Sequence, residues 1–142
     1  MTTIQGLFVL LVIYQVKHFA ADYLLQGEYM LGKFKDGWAF VAPLLAHVGV
    51  HAAMTFAIVV WYTHSVVLAL PLSLFDAAVH FAMDRFKAGS KYLGRWKPLT
   101  AETYRQATPA QKRGNTFFWW SLGFDQMVHH LTHYAIIAAI II

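Results

Sequence analysis

The sequence predicts an all-α membrane protein, with four transmembrane helices in a bundle and a basic cytoplasmic loop between the third and fourth. Three observations carry that prediction. Hydrophobic residues make up 58% of the 142 and charged residues only 13%, against roughly 45–50% and 25% in soluble domains. The apolar residues fall into four runs of about 20, the length that crosses a ~30 Å hydrocarbon core. Within those runs His and Asp recur four residues apart, a spacing that places them on one face of a helix, a turn apart. The length suits a single domain, residues 1–142. There is no cysteine, which excludes disulfides and Cys-based zinc or iron–sulfur sites. Any metal must be held by His and carboxylate.

The first span is expected over residues 4–25. It begins with the unbroken apolar run from Gly6 to Ile13 and ends with Lys17, His18 and Asp22. The run has no basic n-region and carries its own His/Asp pair, so it reads as a span and not as a cleaved signal. Lys17 is expected to snorkel to a headgroup region. A short polar loop follows, residues 26–37, with Lys33 and Lys35.

The second span, 38–62, has Trp38 at one end and Trp61-Tyr62 at the other, as an aromatic belt predicts. Pro43 sits near its start, and His47 and His51 lie in its apolar part. The turn Thr63-His64-Ser65 is short enough to make the next span an antiparallel neighbour, with His64 solvated.

The third span, 66–86, carries Asp76, His80 and Asp84, the strongest candidate in the chain. An ionisable group in a bilayer costs roughly 2.5–3.5 kcal/mol on insertion scales, and so marks a site. Arg85 and Lys87 mark the exit. The basic loop, 88–115, holds six Lys or Arg against Glu102 alone, with aromatic and leucine residues between them. Short surface helices starting at Thr100 and at Thr108-Pro109, basic side toward anionic lipid headgroups, are its simple reading. A nucleic-acid patch is the less favoured one, because basic juxtamembrane loops are common. The fourth span, 116–142, opens with Trp119 and Trp120, continues with Asp125, Gln126, His129 and His133, and ends in an apolar run. His130 points about 100° away from His129 and is expected to be inert.

The positive-inside rule orients the spans. Lys33, Lys35 and the eight basic residues from Arg85 to Arg113 lie in the first and third loops. Those loops are expected to be cytoplasmic in a bacterial inner membrane, with both termini periplasmic. Depth from the cytoplasmic end, at ~1.5 Å per residue, then puts Asp22 and His18 about 5 and 10 Å in, and Asp84, His80 and Asp76 about 3, 9 and 15 Å in. His47 and His51 fall near 14 and 20 Å, and Asp125 and His129 near 13 and 19 Å. The stripes therefore overlap in one half of the membrane. Asp22, Asp76, Asp84 and Asp125 sum to four negative charges, which one or two divalent ions, zinc, manganese or iron(II), would offset. The expected ligands are His18, His47, His51, His80, Asp84, Asp125 and His129, with Asp76 or Asp22 as general base. Lys33 and Lys87 are expected to contact headgroups.

The set His18-x3-Asp22-Tyr-Leu-Leu-Gln26, Lys33, His47, His80-x3-Asp84-Arg-x-Lys87 and Phe124-Asp125-Gln126-x2-His129 resembles a family of small integral membrane proteins of bacteria and phages. That family is catalogued as a domain of unknown function. The resemblance covers nearly the whole chain outside the basic loop. It implies a small helical membrane protein and carries no established activity. In residue type and spacing the stripes are also similar to membrane-bound metal-dependent hydrolases, an analogy of site and not of ancestry.

The expected function is accordingly a membrane-embedded metal-dependent hydrolase acting on a lipid or lipid-linked substrate at the cytoplasmic face. There is no HExxH, so the common metalloprotease arrangement is absent. The alternative is a non-enzymatic protein: an accessory subunit or homo-oligomer, a metal, proton or haem binder, or a polar network that fixes helix register.

Overall fold

The computed structural model describes residues 3–35, 37–88, 105–114 and 116–142. The described residues are helical, with no strand among them. Helix α1 (Thr3–Phe19) runs directly into a π-helical turn, Ala20–Leu24. A 3-10 turn, Met30–Phe34, then leads to α2 (Val41–Thr63). α3 (Val66–Ala88), the short α4 (Pro109–Arg113) and α5 (Thr116–Ile141) follow.

Three helices are long and apolar enough to cross a membrane: Thr3–Leu24, Val41–Thr63 and Val66–Lys87. α5 is longer, at 26 residues, or about 39 Å of helix. Its Asp125, Gln126 and three histidines dilute its hydropathy below that of the other three.

Local chemistry explains the boundaries. α2 starts three residues after Trp38, which is exposed. Pro43 falls in its first turn, where the missing N–H has no intrahelical partner to lose. His64 ends α2 in the left-handed conformation, φ 55°, which His adopts more readily than most side chains. Its exposure on the turn agrees with its expected solvation. The Leu68 N–H donates to Ser65 Oγ and caps the start of α3. Thr108 and Gln111 form a reciprocal capping box with Pro109 at the first helical position of α4, as the Thr-Pro pair predicts. The other expected helix start, Thr100, and the loop residues Lys91, Arg95 and Lys97 lie outside the described residues.

α2 and α3 form the main antiparallel pair; α5 packs on α3 and α1, and the 3-10 turn packs on the start of α2. The interior has two unlike halves. At the α2–α3 turn end, Leu10, Tyr14, Val59, Ala69, Ile136 and Ile137 make a dry cluster. The other half holds the buried polar residues, flanked by a smaller cluster of Phe40, Leu44 and Val48.

Candidate functional site

Asp22 is brought inward by the π-helical turn, a feature frequent at functional sites. Its Oδ1 lies 3.2 Å from His47 Nε2 and 3.1 Å from His51 Nε2, and its Oδ2 lies 3.1 Å from His18 Nε2. His47 Nε2 is also 3.2 Å from Asp84 Oδ2. The nitrogen is buried between the two carboxylates. Donors at ~2.0–2.1 Å from a tetrahedral ion stand about 3.3–3.4 Å apart. The spacings around Asp22 match that shell, and Asp22, His47 and His51 could hold a metal ion. Asp22, 16% exposed, is the least buried of the described aspartates and lies at the rim.

Three further buried aspartates, Asp76, Asp84 and Asp125, are each held by a lysine. Lys17 Nζ donates to Asp76 Oδ2 at 2.7 Å, Lys33 Nζ to Asp84 Oδ2 at 2.8 Å and Lys87 Nζ to Asp125 Oδ2 at 2.6 Å. Lys17 and Lys33 are as buried as their partners. Here the structure departs from the sequence expectation: Lys17 does not snorkel, and Lys33 and Lys87 turn inward. The Arg85 guanidinium sits 3.7 Å over the Phe40 ring. A buried carboxylate that cannot reach water needs a partner more than a headgroup does.

Asp76 and Asp125 each set their other oxygen beside a histidine. Asp76 Oδ1 is 3.1 Å from His80 Nδ1, and Asp125 Oδ1 is 3.3 Å from His129 Nε2. His80 Nδ1 is also 3.0 Å from the Asp76 backbone oxygen. That oxygen can only accept, so the proton belongs on Nδ1 and the lone pair on Nε2. His80 Nε2 is buried without a hydrogen-bond partner. The rings of His51, His80 and His129 follow in series, 3.9 Å between neighbouring centroids, with His80 and His129 stacked and His51 tilted by 37° to His80.

All nine sequence-predicted site residues, Asp22 and Asp76 with His18, His47, His51, His80, Asp84, Asp125 and His129, converge on this interior. Besides Asp22/His47/His51, the donor groups His51/Asp76/His80, His18/His80/His133 and Asp84/Asp125/His129 are close enough to share an ion. His18 Nε2 lies 2.9 Å from Gln126 Oε1, and the Gln126 amide donates to Asp125. Sequence reasoning underrated His133, which is fully buried 3.4 Å from Lys17 Nζ, and passed over Thr55, whose hydroxyl donates to Asp76 at 2.6 Å. The signal for His133 is its place four residues after His129, on the same helix face. His130 is half-buried and belongs to none of the donor groups.

Membrane-length apolar helices around a buried interior of lysine, aspartate and histidine define a small helical protein of a kind compatible with a membrane, whose His/Asp groups could hold a metal ion. The chain belongs to the family described as Protein of unknown function (DUF3307), which it matches over residues 7–142. No curated protein and no solved structure matches it.

Proposed function

We propose that the protein is a metal-dependent hydrolase embedded in a bacterial inner membrane, acting on a lipid or lipid-linked substrate at the cytoplasmic face. In this reading α5 is the fourth span, loops 26–37 and 88–115 are cytoplasmic and both termini are periplasmic. The observation that carries it is the buried His47 Nε2, 3.2 Å from both Asp22 and Asp84, beside His51 in one group of possible ligands. Like-spaced donors facing one point are what a cation requires.

Charge supports a single ion. Four aspartates against three paired lysines leave one negative charge, with the histidines neutral. One divalent ion turns that into one positive charge, which an anionic substrate group balances. Two ions would leave three positive charges in a low-dielectric interior. Asp22, His47 and His51 are the proposed ligands, with His18 or Asp84 completing the set; zinc, manganese and iron(II) all suit it. When bound, the ion supplies a lowered water pKa and polarises the scissile group.

The chain's own residues supply the proton path. Asp22, with its oxygens on three histidines, serves as a ligand. Asp76, fixed by Lys17 and Thr55, holds the His80 proton on Nδ1 through its backbone oxygen, with Oδ1 3.1 Å from the same nitrogen. His80 Nε2 accepts a proton from water as the water oxygen bonds to the substrate carbon or phosphorus. It returns that proton to the leaving oxygen as the old bond breaks. The dry cluster at the opposite end argues against a continuous ion path through the bundle.

A second reading, a non-enzymatic polar network, is favoured by the three Lys–Asp pairs, which neutralise most of the buried charge without any ion. Haem fits less well, because ring centroids 3.9 Å apart leave no space for a macrocycle between them. Metal analysis of detergent-purified protein separates the readings. Stoichiometric metal, lost in Asp22→Ala and His47→Ala, supports the hydrolase and justifies a screen of lipid esters and phosphoesters. Absence of metal, with none taken up on reconstitution, overturns it in favour of the network.

A further inference from the structure

We infer that the chain is a doubled helix hairpin whose halves carry the same set of cation ligands. One set is open to a divalent ion, and the other, around Asp84, is closed by the ammonium groups of Lys33 and Lys87. Only the ion at Asp22, His47 and His51 is taken from the hydrolase reading. The doubling is visible in the residues. His18-Phe-Ala-x-Asp22-x4-Gly27-x3-Leu31-Gly32 recurs without a gap as His80-Phe-Ala-x-Asp84-x4-Gly89-x3-Leu93-Gly94. A basic residue, an aromatic residue and a lysine follow in both copies. On the next long helix of each half, His47-x3-His51-x-Ala53-x3-Ala57-Ile58 recurs as His129-x3-His133-x-Ala135-x3-Ala139-Ile140. A helical period repeats residue classes; identities repeated in one order over two pairs of helices mark an internal repeat. Each half holds two long helices, α1 with α2 and α3 with α5, so both halves run through a membrane in the same sense.

The equivalent residues meet in space. Asp22, His47 and His51 form one donor group; Asp84 and His129, the counterparts of Asp22 and His47, form another with Asp125. The groups adjoin, because His47 Nε2 of the first lies 3.2 Å from Asp84 Oδ2 of the second. They differ in what fills them. Among the described residues, the ion-pair partners of Asp22 are His18, His47 and His51. In the second group Lys33 Nζ bonds Asp84 at 2.8 Å, and Lys87 Nζ lies 2.6 Å from Asp125 and 3.9 Å from Asp84. Ammonium groups there take up carboxylate lone pairs that would otherwise face a cation. The backbone differs at the same place. Ala20–Leu24 is a π-helical turn, whereas its counterpart, 82–86, continues as α-helix within α3. The turn carries Asp22 to the histidines of its own half, and Asp84 stays in line with the lysines. Charge agrees. Without Lys33 and Lys87, the aspartates Asp22, Asp76, Asp84 and Asp125 with Lys17 leave three negative charges. Two divalent ions then give the single positive charge that one ion gives when the lysines are present.

The test is the zinc content of the full chain in detergent, equilibrated with zinc and measured by mass spectrometry against protein concentration. Lys33→Met with Lys87→Met is expected to raise bound zinc from one equivalent to two. Adding Asp125→Asn, which alters the second group alone, should return it to one. Adding Asp22→Ala to the two lysine changes should remove the first equivalent and leave the second. Where the double lysine variant does not fold with or without zinc, Lys87→Met alone, at the partly exposed end of the group, gives the same count. Two equivalents in the wild type, or one in a folded lysine variant of a wild type that binds one, overturns the inference and leaves the hydrolase reading standing. A second equivalent that survives Asp125→Asn also overturns it. No zinc in the wild type, with one equivalent in the lysine variant that Asp125→Asn removes, keeps the second set and removes the hydrolase reading. No zinc in any of these proteins overturns both.

Discussion

His80 and Lys17 show at the scale of a residue how the interior is balanced. Both are buried, and both depend on Asp76. Removing one partner of a buried pair leaves an uncompensated charge and costs about 3–5 kcal/mol. Lys17→Met is expected to destabilise the protein by that amount, and Lys17→Met with Asp76→Asn by much less. Equilibrium unfolding in detergent measures both. The proton path makes a sharper claim. Asp76→Asn in the context of Lys17→Met should leave metal content intact, because neither residue is a proposed ligand, while reducing hydrolysis of any substrate found. Asp22→Ala should reduce metal affinity by more than the ~10–100-fold typical of residues that merely support a ligand. Metal titration followed by mass spectrometry distinguishes the two variants.

Two short irregular elements position what the long helices cannot. The π-helical turn, Ala20–Leu24, carries Asp22 to the histidines of α2. The 3-10 turn, Met30–Phe34, carries Lys33 inward to Asp84. That turn sits tightly on α2: a Cβ on Gly32 would meet the Pro43 ring at 2.8 Å. Gly32→Ala is therefore expected to cost about 1–3 kcal/mol through overpacking. It should also lift Lys33 from Asp84, so that Asp84→Asn costs less in the Gly32→Ala background than in the wild type. A double-mutant cycle of thermal stabilities reads that coupling directly.

For the whole molecule, the polar half and the dry half face opposite ends of the bundle. If the polar half is cytoplasmic, a single cysteine at His64 reacts only with reagent supplied from the periplasm. A cysteine at Arg105 reacts only after the inner membrane is breached. The chain has no native cysteine to confuse the assay, and the reverse pattern would invert the orientation. A bound ion stabilises the folded state by roughly 2.7 kcal/mol when present at a hundred times its dissociation constant. Chelation is therefore expected to lower the thermal midpoint of the metal-loaded protein and to leave Asp22→Ala unchanged.

The sequence by itself determined the helical class, the long apolar helices and the convergence of Asp22, His47, His51, His80, Asp84, Asp125 and His129. Each of these follows from a period along one chain: apolar runs of membrane length, and His or Asp at every fourth residue on one face. What the tertiary structure decided was the partner of each carboxylate. Lys17, Lys33 and Lys87 sit near helix ends or in a loop, where local rules send an ammonium out to headgroups and water. They turn inward because Asp76, Asp84 and Asp125, on other elements for Lys17 and Lys33 and one turn away or across to α5 for Lys87, are buried beyond the reach of water. That pairing joins residues 59, 51 and 38 positions apart, and no periodicity in one chain encodes it. It lowers the buried negative charge of these four aspartates from four to one.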